Sequence, residues 1–134
     1  MQFAIPKIVR PIRLTEYAAE FVEGGSPVTV WVWVNPPRDR MREFMALFAE
    51  RDEAKAIPAE GRDKAWADKW LELGRRVCEL LAELWSQKAD PDTHWTVEQV
   101  GQLAANETDP MLYPWLVGET LRLITEHRAG VSKK

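Results

Sequence analysis

The stretch Pro27-Val28-Thr29-Val30-Trp31-Val32-Trp33-Val34-Asn35-Pro36-Pro37 decides the fold class of this chain. Its β-branched and aromatic residues favour an extended strand over a helix. Successive side chains of a strand point to opposite faces, so the four valines line one face and Thr29, Trp31 and Trp33 line the other. The double proline ends the strand, because proline lacks the amide donor that continues a ladder. Both faces are apolar, so each of them requires a cover.

The residues before this strand predict a small antiparallel sheet. The segment 7–14 alternates loosely and contains Pro11, which places it at a sheet edge. The segment 15–22 has two interpretations, one helical turn capped by Thr15 or a strand with Tyr17, Ala19 and Phe21 on one face. The segment 23–27 predicts a turn, because its glycines adopt positive φ at no steric cost.

The residues after Pro37 predict four helices, each with one apolar stripe. Asn35 is the expected N-cap of the first helix, with Pro36 as its first residue. Thr96 and Gln99 predict a capping box for the third helix, and Asp109-Pro110 a cap for the fourth. The second helix is expected from Arg62 to Gln87. The stripes are Met41, Phe44, Met45 and Phe48; Trp66, Trp70, Leu73, Val77, Leu80, Leu81 and Leu84; Val97, Val100, Leu103 and Ala104; and Leu112, Leu116, Leu123, Ile124 and His127.

These elements predict an α+β fold, with a small antiparallel N-terminal sheet packed by about four helices. The 134 residues fit one domain, with a β-rich part at 1–37, a helical part at 38–128 and a flexible tail at 129–134. The expected core is Phe44, Phe48, Trp66, Trp70, Leu73, Val77, Leu80, Leu112, Leu116 and Leu123.

Composition narrows the function classes. The net charge of −3 argues against a nucleic-acid partner, which a basic surface would bind. No apolar run approaches the roughly 20 residues that span a bilayer, and the first six residues lack the apolar core of a signal peptide. A single cysteine, Cys78, fits a reducing compartment. We therefore expect a soluble cytoplasmic protein with no membrane and no nucleic-acid partner.

Few residues are candidates for catalysis or metal binding. Asp90, Asp92 and His94 lie in a proline-containing connector, where a polar turn explains them better than a metal site. His127 suits the end of the fourth helix, and Cys78 lies beside an apolar stripe, which predicts an inert thiol. No phosphate-binding loop, dinucleotide glycine pattern or zinc-protease motif is present in the sequence. We expect no catalytic residues, no metal and no cofactor.

Trp31 and Trp33 have two interpretations. In one, the second or fourth helix covers them and they belong to a three-layer core. In the other, they form an exposed aromatic patch beside an open sheet edge and bind another chain by strand addition or face packing. The second interpretation makes Thr29, Trp31, Trp33 and Asn35 the candidate partner-binding residues.

The layout resembles that of the tail assembly chaperones of long-tailed bacteriophages. The similarity is carried by a β-rich N-terminus, a strand that runs into Asn-Pro-Pro and a helical remainder. It is strongest at Arg10-Pro11-Ile12-Arg13-Leu14 with Tyr17, Trp31-Val32-Trp33-Val34-Asn35-Pro36-Pro37, Trp95-Thr96-Val97-Glu98-Gln99-Val100, Asp109-Pro110 and Trp115-Leu116.

The resemblance implies a non-enzymatic protein that binds the tape measure protein and the tail tube protein in the host cytoplasm until the tail polymerises. Many members of that family also have a longer form made by ribosomal frameshifting, with which Lys133-Lys134 is compatible. The alternative is a small phage structural adaptor or a regulatory inhibitor that acts through protein contacts. Self-association into a homo-oligomer is a further use of the same surface.

Overall fold

The computed structural model describes residues 4–132 and shows the expected α+β fold. Its strands are β1 (Val9–Arg13), β2 (Val22–Glu23), β3 (Ser26–Pro27), β4 (Thr29–Trp33) and β5 (Trp85–Ser86). Its helices are α1 (Arg38–Lys55), α2 (Lys64–Leu84), α3 (Val97–Ala104) and α4 (Leu112–Ser132). None of the helices among these residues is long and apolar enough to cross a membrane.

The main sheet is antiparallel, with strand order β1-β4-β5. Trp31 of β4 faces Pro11 of β1 on one side and Ser86 of β5 on the other. The prediction that Pro11 lies in an edge strand is confirmed. β2 and β3 form a separate hairpin, whose turn places Gly24 and Gly25 at φ values of 59° and 81°. The segment 15–22 starts inside a short 3₁₀ turn, Leu14–Glu16, which favours the helical-turn interpretation. The predicted Thr15 cap is wrong, because Arg13 is the N-cap residue and no side chain caps the turn.

The first helix begins later than expected and turns a different face inward. Pro37 is its N-cap residue and no side chain caps it, so the predicted Asn35 cap is wrong. Phe44 and Leu47 are buried, whereas Met45 is 54% exposed and Phe48 is half-buried. The physical reason is that α1 packs along α2, which rotates the buried stripe from Met45 towards Leu47.

The second helix is shorter than the predicted range from Arg62 to Gln87. Asp63 caps it by accepting a hydrogen bond from the Trp66 amide at 2.9 Å. It ends at Leu84, because Trp85 turns to an extended conformation and pairs with Val32. The Trp85 ring is fully buried and donates a hydrogen bond to Thr120 of α4 at 2.9 Å. Tertiary packing thus overrides the helical period of the sequence here.

The third and fourth helices follow the prediction in part. The capping box is confirmed, with Thr96 and Gln99 bonded reciprocally at 2.9 and 3.2 Å. Of the α3 stripe, Val100 is buried, Leu103 is half-buried, and Val97 and Ala104 are exposed, because this short helix packs mainly along α2. The fourth helix starts at Leu112, two residues after Pro110, and it continues to Ser132 within the segment 129–134 predicted as a tail. Lys133 and Lys134 lie outside the described residues.

One hydrophobic cluster joins the sheet to all four helices. Of the predicted core, Phe48 and Leu123 are half-buried and pack against this cluster.

Trp66 and Trp70 differ from the predicted core position. Both are half-buried, and they stack on each other with ring centroids 5.6 Å apart. They lie in the first two turns of α2, where the Trp66 indole donates a hydrogen bond to the carbonyl of Ala54 at 3.0 Å. These two rings therefore fasten the end of α1 to α2. The predicted residues that are buried in the cluster are Phe44, Leu73, Val77, Leu80, Leu112 and Leu116.

Candidate functional site

The central strand β4 separates two faces of unequal burial. Val30, Val32 and Val34 are buried and form what we call the inner face of the sheet. Thr29, Trp31 and Trp33 lie on the opposite side, the outer face, and all three are half-buried. The alternation of the sequence therefore predicts which side of the strand enters the core. The outer face is neither sealed, as a three-layer core requires, nor fully open.

Trp31 lies at the centre of the outer face. Its neighbours across the sheet are Pro11 on β1 and Ser86 on β5, both with small side chains. Among the described residues, the half-buried aromatic side chains that pack against the core include Trp33 and Trp95 but not Trp31. Trp31 is thus a large ring between small neighbours, with part of its surface open to another molecule.

Trp33 is held more firmly. Its indole donates a hydrogen bond to Asn35 Oδ1 at 2.9 Å, and Lys7 Nζ lies 4.5 Å from the ring centroid. Together with Phe44 of α1 and Leu84 of α2, the ring lines a small gap where the two helices approach the sheet. Trp33 therefore contributes to the packing of the protein as well as to the outer face.

Asn35 closes the junction between β4 and α1. Its Oδ1 atom accepts hydrogen bonds from the Ile8 amide at 2.8 Å and from Trp33, and its Nδ2 atom donates to the Pro6 carbonyl at 2.9 Å. These bonds tie the N-terminal segment to the end of β4. The side chain of Asn35 thus serves the fold, and its hydrogen-bonding groups are largely engaged within the chain.

Thr29 lies at the other end of the outer face. Its hydroxyl donates to the Pro27 carbonyl at 3.1 Å, and the residue lines a groove together with Gln87 and Trp95. Trp95 was not among the predicted site residues, and its buried indole nitrogen has no hydrogen-bond partner among the described residues. Its position follows a turn-rich connector without periodicity, so no sequence pattern indicates that it adjoins Thr29.

The free edge of β1 offers little to a partner strand. The Leu14 amide bonds Val28 and the Val34 amide bonds Ile8, so the even-numbered residues of the segment direct their backbone groups to β4. Val9, Pro11 and Arg13 consequently direct theirs to the open edge. Pro11 has no amide to donate, and the Arg10 guanidinium already bonds the Val9 carbonyl at 3.0 Å.

The residues that could bind a metal ion or act as a nucleophile do not form a common site among the described residues. Asp90 and Asp92 belong to a 3₁₀ turn in which the Asp90 carboxylate accepts the Asp92 amide at 2.9 Å. Cys78 is buried, 3.9 Å from the Tyr113 hydroxyl, and burial raises the pKa of its thiol. The thiol is therefore protonated at neutral pH, which is the unreactive form. Among the described residues, no group of three or more His, Cys, Asp or Glu side chains is placed to hold a metal ion.

Comparison with known proteins assigns the chain to no family. No protein-family model, no curated protein and no solved structure matches the chain. The resemblance to tail assembly chaperones therefore stays a prediction from the layout of the sequence. The outer face of the sheet, with its half-buried tryptophans, is the surface that a partner could contact.

Proposed function

We propose that this protein is a non-enzymatic tail assembly chaperone of a long-tailed bacteriophage, which binds the tape measure protein, the tail tube protein or both. One observation carries the proposal: Trp31 is only half-buried at the centre of the outer face, and it lies outside the set of aromatic side chains packed against the core. Tryptophan is enriched among the residues that dominate protein interfaces, because its ring contributes a large apolar area and a hydrogen-bond donor.

The mode of binding is face packing rather than strand addition. A strand added to β1 would meet Pro11 at the middle of the edge and would gain few backbone hydrogen bonds there. The outer face instead presents Trp31, with Thr29 and Trp33 on either side along the same strand. A client helix or an apolar segment of a client packs on such a surface through side chains.

The client class follows from the resemblance. A chaperone of that family is expected to bind long helical or unfolded segments of its client, whose apolar stripes need a cover before the tail polymerises. The work of such a chaperone takes place in the host cytoplasm. A homo-oligomer that uses the outer face in the absence of client is part of the same proposal.

The direct test is to express the chain with the proteins encoded by its neighbouring genes. We expect a tape measure or tail tube protein to become soluble and to elute in a complex with the chain on size-exclusion chromatography. Trp31→Ser should weaken that complex by tenfold or more in a titration, since a central tryptophan contributes on the order of 2 kcal/mol. The melting temperature of the variant should stay close to that of the parent.

Leu71→Ser is the matched control, because Leu71 is 71% exposed on α2 and does not belong to the outer face. It should leave client binding unchanged. If the proteins encoded by the neighbouring genes are equally soluble with and without the chain, the proposed chaperone function is wrong. Formation of a ring with a portal or connector protein instead would favour the structural adaptor.

A further inference from the structure

A groove of about 570 Å³ lies between α1 and α4, and no residue of the outer face lines it. Each helix supplies four residues with the spacing i, i+3, i+4 and i+7, which spans two turns or about 10 Å. The residues are Arg38, Met41, Arg42 and Met45 from α1, and Leu121, Ile124, Thr125 and Arg128 from α4. We call this surface the α1–α4 groove. It stays open because α1 packs along α2 instead of along α4.

The floor of the α1–α4 groove is apolar and adaptable. Met41 and Ile124 are buried at its base, and Leu121 is half-buried on its α4 side. Met45 is 54% exposed on its α1 side, although it belongs to the apolar stripe that the sequence predicts for the first helix. Methionine side chains are flexible and polarizable, so they adjust to the shape of an apolar partner. A partner molecule that covers Met45 would explain why this apolar side chain is exposed in the isolated chain.

The rim of the α1–α4 groove is positively charged. Arg38, Arg42 and Arg128 line it, and no carboxylate of the described residues does. Four arginines elsewhere in the chain form ion pairs with glutamates: Arg40, Arg75, Arg76 and Arg122. Among the described residues, no ion pair involves Arg38, Arg42 or Arg128. A chain of net charge −3 thus concentrates three arginines around one apolar floor, which attracts an acidic partner.

We propose that the α1–α4 groove docks an acidic amphipathic helix of a partner protein. Apolar residues of that helix at i, i+4 and i+7 would lie on the methionine and leucine floor. Flanking aspartates or glutamates would pair with the three arginines, which bind carboxylates through two parallel hydrogen bonds. A small ligand fits less well, because the groove is open along its length and would bury only one side of it. This site is separate from the outer face and does not depend on the proposed chaperone role.

The test uses a pair of labelled helical peptides that share leucines at i, i+4 and i+7. One peptide carries glutamates beside the leucines, and the other carries lysines at the same positions. We expect fluorescence anisotropy to show saturable binding of the acidic peptide and at least tenfold weaker binding of the basic peptide. Raising the salt concentration should weaken the acidic complex, because exposed ion pairs are screened.

Variants that reverse the charge of arginines in the α1–α4 groove test whether these arginines bind the acidic peptide. Arg38→Glu with Arg42→Glu should weaken binding of the acidic peptide by about tenfold or more and strengthen binding of the basic peptide. Arg13→Glu is the control, since Arg13 is exposed on β1 and does not line the groove. Circular dichroism should show the same helix content for all three proteins, and the control should bind the acidic peptide as the parent does.

Three results would overturn the proposal. The first is equal affinity for the two peptides. The second is binding of decanoate, a small anionic amphiphile, in an arginine-dependent way without binding of the acidic helix. The third is a dimer of the parent protein that Met45→Glu dissociates, because a second copy would then occupy the groove.

Discussion

Asn35 shows how one side chain decides the position of a whole segment. Its amide accepts two hydrogen bonds and donates a third, and these connect Pro6, Ile8 and Trp33. The Ile8 amide stands where the ladder between β1 and β4 would otherwise continue, so the Asn35 side chain replaces a backbone acceptor there. The same group orients Trp33 on the outer face.

Asn35→Ala should lower the free energy of unfolding by about 1–3 kcal/mol, because it leaves two donors without their acceptor in a half-buried place. Urea denaturation followed by tryptophan fluorescence measures this difference. Gln102→Ala, at an exposed position on α3, should change it by less than about 0.5 kcal/mol. Equal stability of Asn35→Ala and the parent would contradict the role assigned to this side chain.

At the scale of the elements, α2 is the central support of the fold. It packs against α1 on one side and α3 on another, and it leads directly into β5. Leu81 is fully buried on this helix, and Leu84, its last residue, directly precedes the strand. Removal of a buried leucine here affects the helices and the sheet together.

Leu81→Ala should lower the free energy of unfolding by about 2–5 kcal/mol, through lost burial and the cavity that remains. Leu71→Ala removes the same atoms from the exposed side of α2 and should cost less than about 0.5 kcal/mol. Chemical denaturation of both variants gives the comparison. Similar losses for the two would show that the buried face of α2 is assigned incorrectly.

Elements with strong local signals could be predicted from the sequence. The alternation from Val28 to Val34 gives the central strand, Gly24-Gly25 gives the hairpin turn, and Thr96 with Gln99 gives a capped helix start. Each of these depends on residues close together in the chain. The class, a small antiparallel sheet with four helices, follows from them.

Features that depend on distant contacts could not be predicted. Trp85 continues the helical period of α2, and only its pairing with Val32 and its bond to Thr120 make it a strand residue. Met45 matches the apolar stripe, but the packing of α1 along α2 turns it outward. The candidate site shares this limit: periodicity places Thr29, Trp31 and Trp33 on one face, whereas the adjacency of Trp95 depends on how the connector folds back.

At the scale of the whole molecule, the half-buried phenol of Tyr113 and the buried thiol of Cys78 make the stability of the fold depend on pH in the alkaline range. Burial raises the pKa of Cys78 and of Tyr113 above the ordinary values of 9.0 and 10.0. A hydrogen bond to Asp109, 2.6 Å long, raises the pKa of Tyr17 in the same direction. The folded chain therefore holds these protons at pH values where the unfolded chain releases them.

We expect the free energy of unfolding to fall as the pH rises above about 9, since proton release then favours the unfolded chain. Tyr113→Phe should flatten this dependence, because one of the linked groups is removed. Urea denaturation at a series of pH values from neutral to alkaline measures both slopes. An identical slope for Tyr113→Phe and the parent would contradict the linkage.

The second edge of β4 is covered by Trp85 and Ser86, which follow it by about fifty residues in the chain. During synthesis on the ribosome, the valine- and tryptophan-rich strand emerges well before these two residues do. Until then it presents an unpaired, apolar, β-prone edge, which is the kind of segment that joins neighbouring nascent chains into aggregates. A polysome on this message carries several nascent chains and therefore places such edges close together. The yield of soluble protein should depend on how quickly translation proceeds from α1 to the end of α2.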